Sequence, residues 1–179
     1  MFARMISLFG VKTSCLAVSV IVLTSACAGA ADHLPLYRFY NTKIHQHEYT
    51  NSETEAKEWQ KVPHKNKEKV LGWLPTGPGK EVTRLYRATK ENGRHYYYTV
   101  KPRGFKNFKL EPTNMYVYEH KGNGRVAVHA TCLSGGEDMF FSTSKEELDL
   151  VIEDTKNAIG NQRRRFLNVF YVLEEKPEE

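Results

Sequence analysis

His45-x-His47 is the first pair in this chain whose spacing could do chemistry. Zinc sites are built from closely spaced ligands completed by more distant ones, and His33 and His64 are the nearest further histidines. No paired cysteines and no His-Glu-x-x-His motif accompany them, so no metal is expected. Nucleophilic catalysis needs a base beside the nucleophile and a third group to orient it. No serine carries such a signature, and neither does Cys132. Glycoside hydrolysis needs two facing carboxylates, whereas the acids here gather in helix faces and in the tail from Glu174 to Glu179. Gly77-Pro78-Gly79-Lys80 lacks the spacing of a phosphate-binding loop. The expectation is a protein that is not an enzyme and needs no cofactor.

Binding is better served. The chain holds ten tyrosines, nine phenylalanines and two tryptophans. Aromatic rings stack on the C–H faces of sugars while Arg, Asn and His serve the hydroxyls, the mixture of apolar body and few polar groups from which small-ligand sites are made. An arginine inside an aromatic strand is seldom buried alone, so Arg38 and Arg87 each either close a polar network or point into a ligand groove. Side chains alternate along Tyr96-Tyr97-Tyr98, which makes Tyr97 the outward ring. The candidate ligand-binding set is Arg38, Tyr40, Asn41, His47, Arg87 and Tyr97. Trp59, Trp73, Tyr49 and Tyr98 also suit a core or cross-strand pairs.

The elements that would position these residues recur. Leu36-Tyr37-Arg38 falls on Leu85-Tyr86-Arg87 at the offset that also carries Tyr49-Thr50 onto Tyr98-Thr99. Ala88-Thr89 slides onto Ala130-Thr131, with one inserted residue before Phe141-Ser142, which sets His129 in the place of Arg38 and Arg87. Three units follow, 34–80, 81–123 and 124–175, closing in strands 70–74, 115–118 and 169–173. Ser52-x-x-Glu55 and Ser144-x-x-Glu147 are capping boxes, in which the serine accepts from the N–H three residues on and the glutamate reaches back. They predict short helices in units one and three, the latter stopped near Gly160, while Pro102 predicts a loop or short strand in unit two. Such units are too small to bury their own apolar faces and must pack around a shared axis. The expected fold is mainly β with pseudo-threefold repeats, β-trefoil-like, the alternative being a small three-bladed propeller-like arrangement.

The chain opens with a basic start at Arg4 and Lys12, an apolar run from Leu16 to Leu23, and Ala28-Gly29-Ala30. This is the pattern of a cleaved secretory leader, expected over residues 1–31, with lipidation at Cys27 the alternative end. Residues 32–179 then form one domain. With Arg4 and Lys12 removed, 24 of the 26 basic residues face 21 acidic ones, a balance of +3 that does not ask for nucleic acid. The clusters 65–69 and Arg163-Arg164-Arg165 read as solvated faces or anion patches. Cys132 alone survives the leader, so no internal disulfide forms and stability must come from a packed core. There is no Asn-x-Ser/Thr acceptor for an N-glycan.

LYRFYN at 36–41, HEYTNSETE at 47–55 and LGWL at 71–74 resemble a secreted, tyrosine-rich repeat family of unknown function. The resemblance covers nearly the whole chain after the leader and is best in the first unit, while the third is eroded. Members of that family often accompany wall- or glycan-acting enzymes, which implies a lectin-like role. The functional expectation is a secreted, monomeric, non-catalytic module that binds a glycan and, once the leader is gone, no membrane. The alternative is a secreted protein-binding or inhibitor-like domain displaying loops such as 104–108. A hydrolase would need a pocket of converging acids.

Overall fold

Tyrosine, phenylalanine and valine favour a pleated, half-buried surface, and the chain extends where they concentrate. The computed structural model describes residues 33–90, 96–101, 108–133, 138–156 and 165–178. Over these the protein is mainly β, with nine strands and two helices. β1 (His33–Asn41) and β2 (Gln46–Thr50) form a hairpin, α1 (Glu53–Gln60) follows, and β3 (Lys65–Pro75) returns along β1. β4 (Val82–Lys90) pairs likewise with β5 (Tyr96–Thr99) and β6 (Phe108–Tyr118). β7 (Arg125–Leu133) pairs with β8 (Asp138–Ser142) and, after α2 (Lys145–Lys156), with β9 (Arg165–Leu173). Single bridges join the third strands, Trp73 to Leu173 and Tyr118 to Tyr171. Where a trefoil-like or three-bladed closure was expected, this pairing defines an open antiparallel sheet in the order β2-β1-β3-β9-β6-β4-β5, with β7 and β8 branching from β9. Among the described residues, no helix is long and apolar enough to cross a membrane. The expected leader lies outside the described residues, as do the helix stop at Gly160 and all but the last residue of the loop 104–108.

Register decides which positions correspond. Tyr37 stands opposite Thr50, Tyr86 opposite Thr99, and His129 opposite Ser142. Arg38 faces Tyr49 and Arg87 faces Tyr98, but it is Ala130 that faces Phe141. The expected equivalence of His129 with the two arginines is therefore corrected: His129 stands where Tyr37 and Tyr86 stand. One offset of 43 (Tyr86 to His129, Thr99 to Ser142) serves both strands of the hairpin, so no inserted residue is needed. Burial agrees, since Leu36, Leu85 and Val128 are fully buried, as are Phe39, Ala88 and Thr131 three residues on.

The helix starts are tied to the strand ends. Ser52 Oγ accepts from Glu55 N–H at 3.2 Å, and Ser144 Oγ accepts from Glu147 N–H at 3.1 Å, satisfying an orphan donor of each first turn. The glutamates do not reach back to the cap. Glu55 accepts from Thr50 Oγ1 at 2.5 Å, and Thr50 in turn accepts from Ser52 N–H at 3.0 Å. Glu147 accepts from Ser142 Oγ, which accepts from Ser144 N–H at 2.9 Å. The last hydroxyl of the strand thus stands in for the cap N–H. In the middle hairpin Thr99 Oγ1 keeps the turn, accepting from Lys101 N–H at 3.0 Å, and no helix begins at 100–101.

The core lies where the hairpins meet. The Tyr49 and Tyr98 rings sit 5.0 Å apart edge to face, and Tyr49 and Phe141 4.9 Å apart. Tyr98 Oη donates to Tyr49 O at 3.4 Å and accepts from Tyr49 N–H at 3.2 Å. Tyr49 Oη donates to Met139 O at 3.0 Å and accepts from Phe141 N–H at 2.8 Å. Each tyrosine so satisfies the backbone of the next hairpin while filling the core, and burial holds both phenols well above the ordinary tyrosine range. The closing strands are longer than the 70–74, 115–118 and 169–173 expected. β3 begins at Lys65 because its basic run finds partners across the sheet. Lys65 meets Glu48 at 2.7 Å and covers the Trp59 ring, and Lys67 lies over Tyr37.

Candidate functional site

β-Strand alternation puts Leu36, Arg38 and Tyr40 on one face of β1. The guanidinium of Arg38 is therefore carried in beside the core and is 4% exposed. Its Nη1 donates to Phe141 O at 2.7 Å, its Nη2 to Glu147 Oε1 at 2.7 Å, and its Nε lies 2.5 Å from Glu68 Oε2 without hydrogen-bond alignment. The group stacks on the Phe140 ring at 4.5 Å. Lys69 Nζ adds a second cation to Glu147 at 2.5 Å. Burial raises the Glu147 carboxyl, but Arg38, Lys69 and Ser142 outweigh it and hold the group down at about 2.

The same network reaches His47. Its Nδ1 and its backbone N–H each lie 2.7 Å from an oxygen of Asp138, which is itself 2% exposed, and its Nε2 lies 3.6 Å from Glu68. Burial lowers the imidazole pKa, yet the hydrogen bond to Asp138 and the charge of Glu68 carry it above the usual histidine value. The rings of Tyr40 and Phe140 flank it at 4.9 Å. This buried constellation joins β1, β2 and β3 to β8 and α2. Among the described residues, both nitrogens of its imidazole face carboxylates rather than a nucleophile.

Of the residues expected to touch ligand, Arg38 and His47 are brought together in that network. Tyr40 is half-buried beside them, its hydroxyl 3.3 Å from His45 Nδ1. Asn41 is buried and shapes the hairpin turn, accepting from Lys43 N–H at 3.1 Å and approaching Glu48 at 3.5 Å. Tyr97 is described only as the β5 residue opposite Ala88. Arg87 stands apart from the others. It is half-buried, with Nε and Nη2 donating to Glu111 Oε2 at 3.2 and 2.7 Å, a contact that holds that carboxyl below its usual range.

Arg87 lines a cleft of about 260 Å³ between β2, the start of α1, β4 and β6. Buried Tyr49, Tyr98 and Met115 lie at its base. Its walls are Thr50, Asn51, Ser52, Glu55, Glu111, Thr113 and Asn114, with Asn51 Nδ2 donating to Asn114 O at 3.2 Å. A second, larger cleft of about 480 Å³ is walled by Val70, Trp73, Val126, Thr143, Ser144 and Glu174. The first is the better candidate because it gathers donors, acceptors and charge around one opening. Among the described residues, no three His, Cys, Asp or Glu side chains are grouped as metal ligands.

Sequence reasoning did not pick out Glu55, Glu68, Glu111, Asp138 or Glu147. A signal existed for Asp138, an acid heading the strand Asp138–Ser142 directly before Met139, Phe140 and Phe141, because a buried carboxylate must be paired. For Glu55 and Glu147 the signal was the capping box, read only as a helix start.

The chain belongs to the family of a domain of unknown function (DUF5648), whose model matches residues 35–158. No curated protein and no solved structure matches it.

Proposed function

We propose that this chain is a secreted, non-catalytic carbohydrate-binding module whose ligand site is the Arg87 cleft. In this reading three degenerate copies of one three-stranded unit, β1–β3, β4–β6 and β7–β9, gather in a trefoil-like way about Tyr49, Tyr98 and Phe141. The recurring hairpin register and the two tyrosines bonded into neighbouring hairpins support it. The observation that carries the binding role is the composition of the cleft. One arginine, two carboxylates, two amides and three hydroxyls surround this cleft of about 260 Å³, the donor and acceptor mixture that recognises a polyhydroxylated ligand. The buried position of Arg38, His47 and Asn41 moves the expected site from the first hairpin to the junction of the first and second units.

Glycan-array binding by the full chain, lost in Arg87→Ala while the melting temperature stays within a few degrees, is the expected result. A clean negative across a broad array, or full binding by the folded Arg87→Ala variant, rejects the reading.

A further inference from the structure

We infer that the Arg87 cleft is an ammonium site, and that the sugar it takes carries a free amino group, as a deacetylated amino sugar does. This rests on the glycan-binding reading and narrows it. The protein contains a filled version of the same arrangement. Arg38 stands opposite Tyr49 on one neighbouring strand and Lys69 on the other, and both cations reach Glu147. Arg87 stands opposite Tyr98 and Glu111 in the same way. Glu55 corresponds to Glu147, each the third residue after a cap serine and each bonded to the last hydroxyl of the preceding strand.

The two junctions differ in the charge that the third strand sets opposite the arginine, and only the first holds a carboxylate in the place of Glu68. Where the first has the Lys69 ammonium, the second has the Glu111 carboxylate, and Arg87 turns to Glu111. Glu55 accepts from Thr50 and, among the described residues, pairs with no basic side chain. Lys109 meets the far oxygen of Glu111 at 3.1 Å, but it is 76% exposed and lies off the cleft wall, so that pair contributes little. Glu111 takes the register position of Lys69 and lines the cleft, so no ammonium of that strand enters it. An ammonium from outside would find at Glu55 an acceptor placed as Glu147 is for Lys69, but more exposed to solvent. Asn51, Ser52, Thr113 and Asn114 would then face hydroxyls. A cleft of about 260 Å³ is below the roughly 300–1,000 Å³ of drug-sized pockets and suits one ring. A lysine side chain carries the same ammonium but would leave these polar walls without partners, which favours the amino sugar.

The test is calorimetric titration of the full chain with a glucosamine tetramer and with its fully N-acetylated counterpart, at a pH where the amines are charged. The expected result is binding of the free-amine oligomer only. Glu55→Gln should weaken it about tenfold through loss of a charge-assisted bond. Glu111→Lys lies outside α1 and restores a cation of the Lys69 type; it should abolish binding without lowering the melting temperature. Equal binding of the acetylated oligomer, or undiminished binding by both variants, overturns the ammonium site and leaves the glycan-binding reading standing. Failure of either oligomer to bind, with other glycans bound, also overturns the ammonium site alone. No binding of any glycan removes both. Binding of Nα-acetyl-lysine amide in place of glucosamine oligomers overturns it in favour of a peptide ligand.

Discussion

Asp138→Asn is the substitution whose consequences the structure fixes most closely. The side chain is isosteric, so no cavity arises, yet a charge is removed at a position 2% exposed. Both carboxylate oxygens are engaged, one by His47 N–H and one by His47 Nδ1, each at 2.7 Å. The amide can still accept one of these bonds, but its NH2 group then faces a donor, and His47 loses the nearer of its two acidic neighbours. Breaking a buried pair by changing one partner costs about 3–5 kcal/mol, a large share of the roughly 5–15 kcal/mol that holds a domain folded. The unfolding temperature should fall by about 10 °C.

A pH signature separates this from generic damage. The folded His47 pKa lies above its unfolded value because Asp138 and Glu68 outweigh burial, with Tyr40 and Phe140 as the other neighbours. The folded state therefore binds the proton more tightly. That stabilisation is fully present below the unfolded pKa of about 6.5 and is lost as pH rises through the raised folded value. Urea denaturation of both proteins from pH 5.5 to 8.5 should show wild-type stability declining with pH through this window and Asp138→Asn nearly flat. A loss below 1 kcal/mol, or parallel pH profiles, would refute the assignment of Asp138 as the charge partner of His47.

Three further outcomes follow from single contacts. Tyr49→Phe leaves Phe141 N–H and Met139 O unpaired in the core and should cost about 1–3 kcal/mol by urea denaturation. Gly72→Ala should destabilise by about 2 kcal/mol or more. Gly72 has φ +151°, and an added Cβ would lie 2.3 Å from Val172 Cγ2, where β3 crosses β9; thermal melts check this. Glu147 has a folded pKa of about 2, so it stabilises above its unfolded pKa of about 4.3 and that contribution disappears as pH falls from there toward 2. Acid titration followed by tryptophan fluorescence should show Glu147→Gln less stable at pH 7 and less sensitive to acid than the wild type.

The buried network and the open cleft are alternative uses of one strand pattern. Both place an arginine opposite a tyrosine and near a helix-start glutamate. In one, Lys69 and Glu68 complete the charge balance inside the protein. In the other, the basic side chain is replaced by an acid and the space stays open. This is how a residue type that looks functional in the sequence, Arg38, becomes sealed in a buried network, while its counterpart Arg87, paired with Glu111, lines an open cleft.

The amino-acid sequence alone determined the local structure. Alternating Tyr, Phe and Val prescribed strands, and Ser52 and Ser144 prescribed helix starts. These depend on neighbours a few residues away. Only the tertiary structure decided how the arginines are used. The partners of Arg38 lie on Glu68 in β3, in β8 and at the start of α2, the last two more than 100 residues along the chain. Whether a guanidinium is sealed or exposed depends on which charge the neighbouring strand brings opposite it, Lys69 in one case and Glu111 in the other. Register, which slid His129 by one residue from where periodicity set it, is likewise fixed by hydrogen bonds between strands, and a linear pattern with tolerant offsets does not specify those.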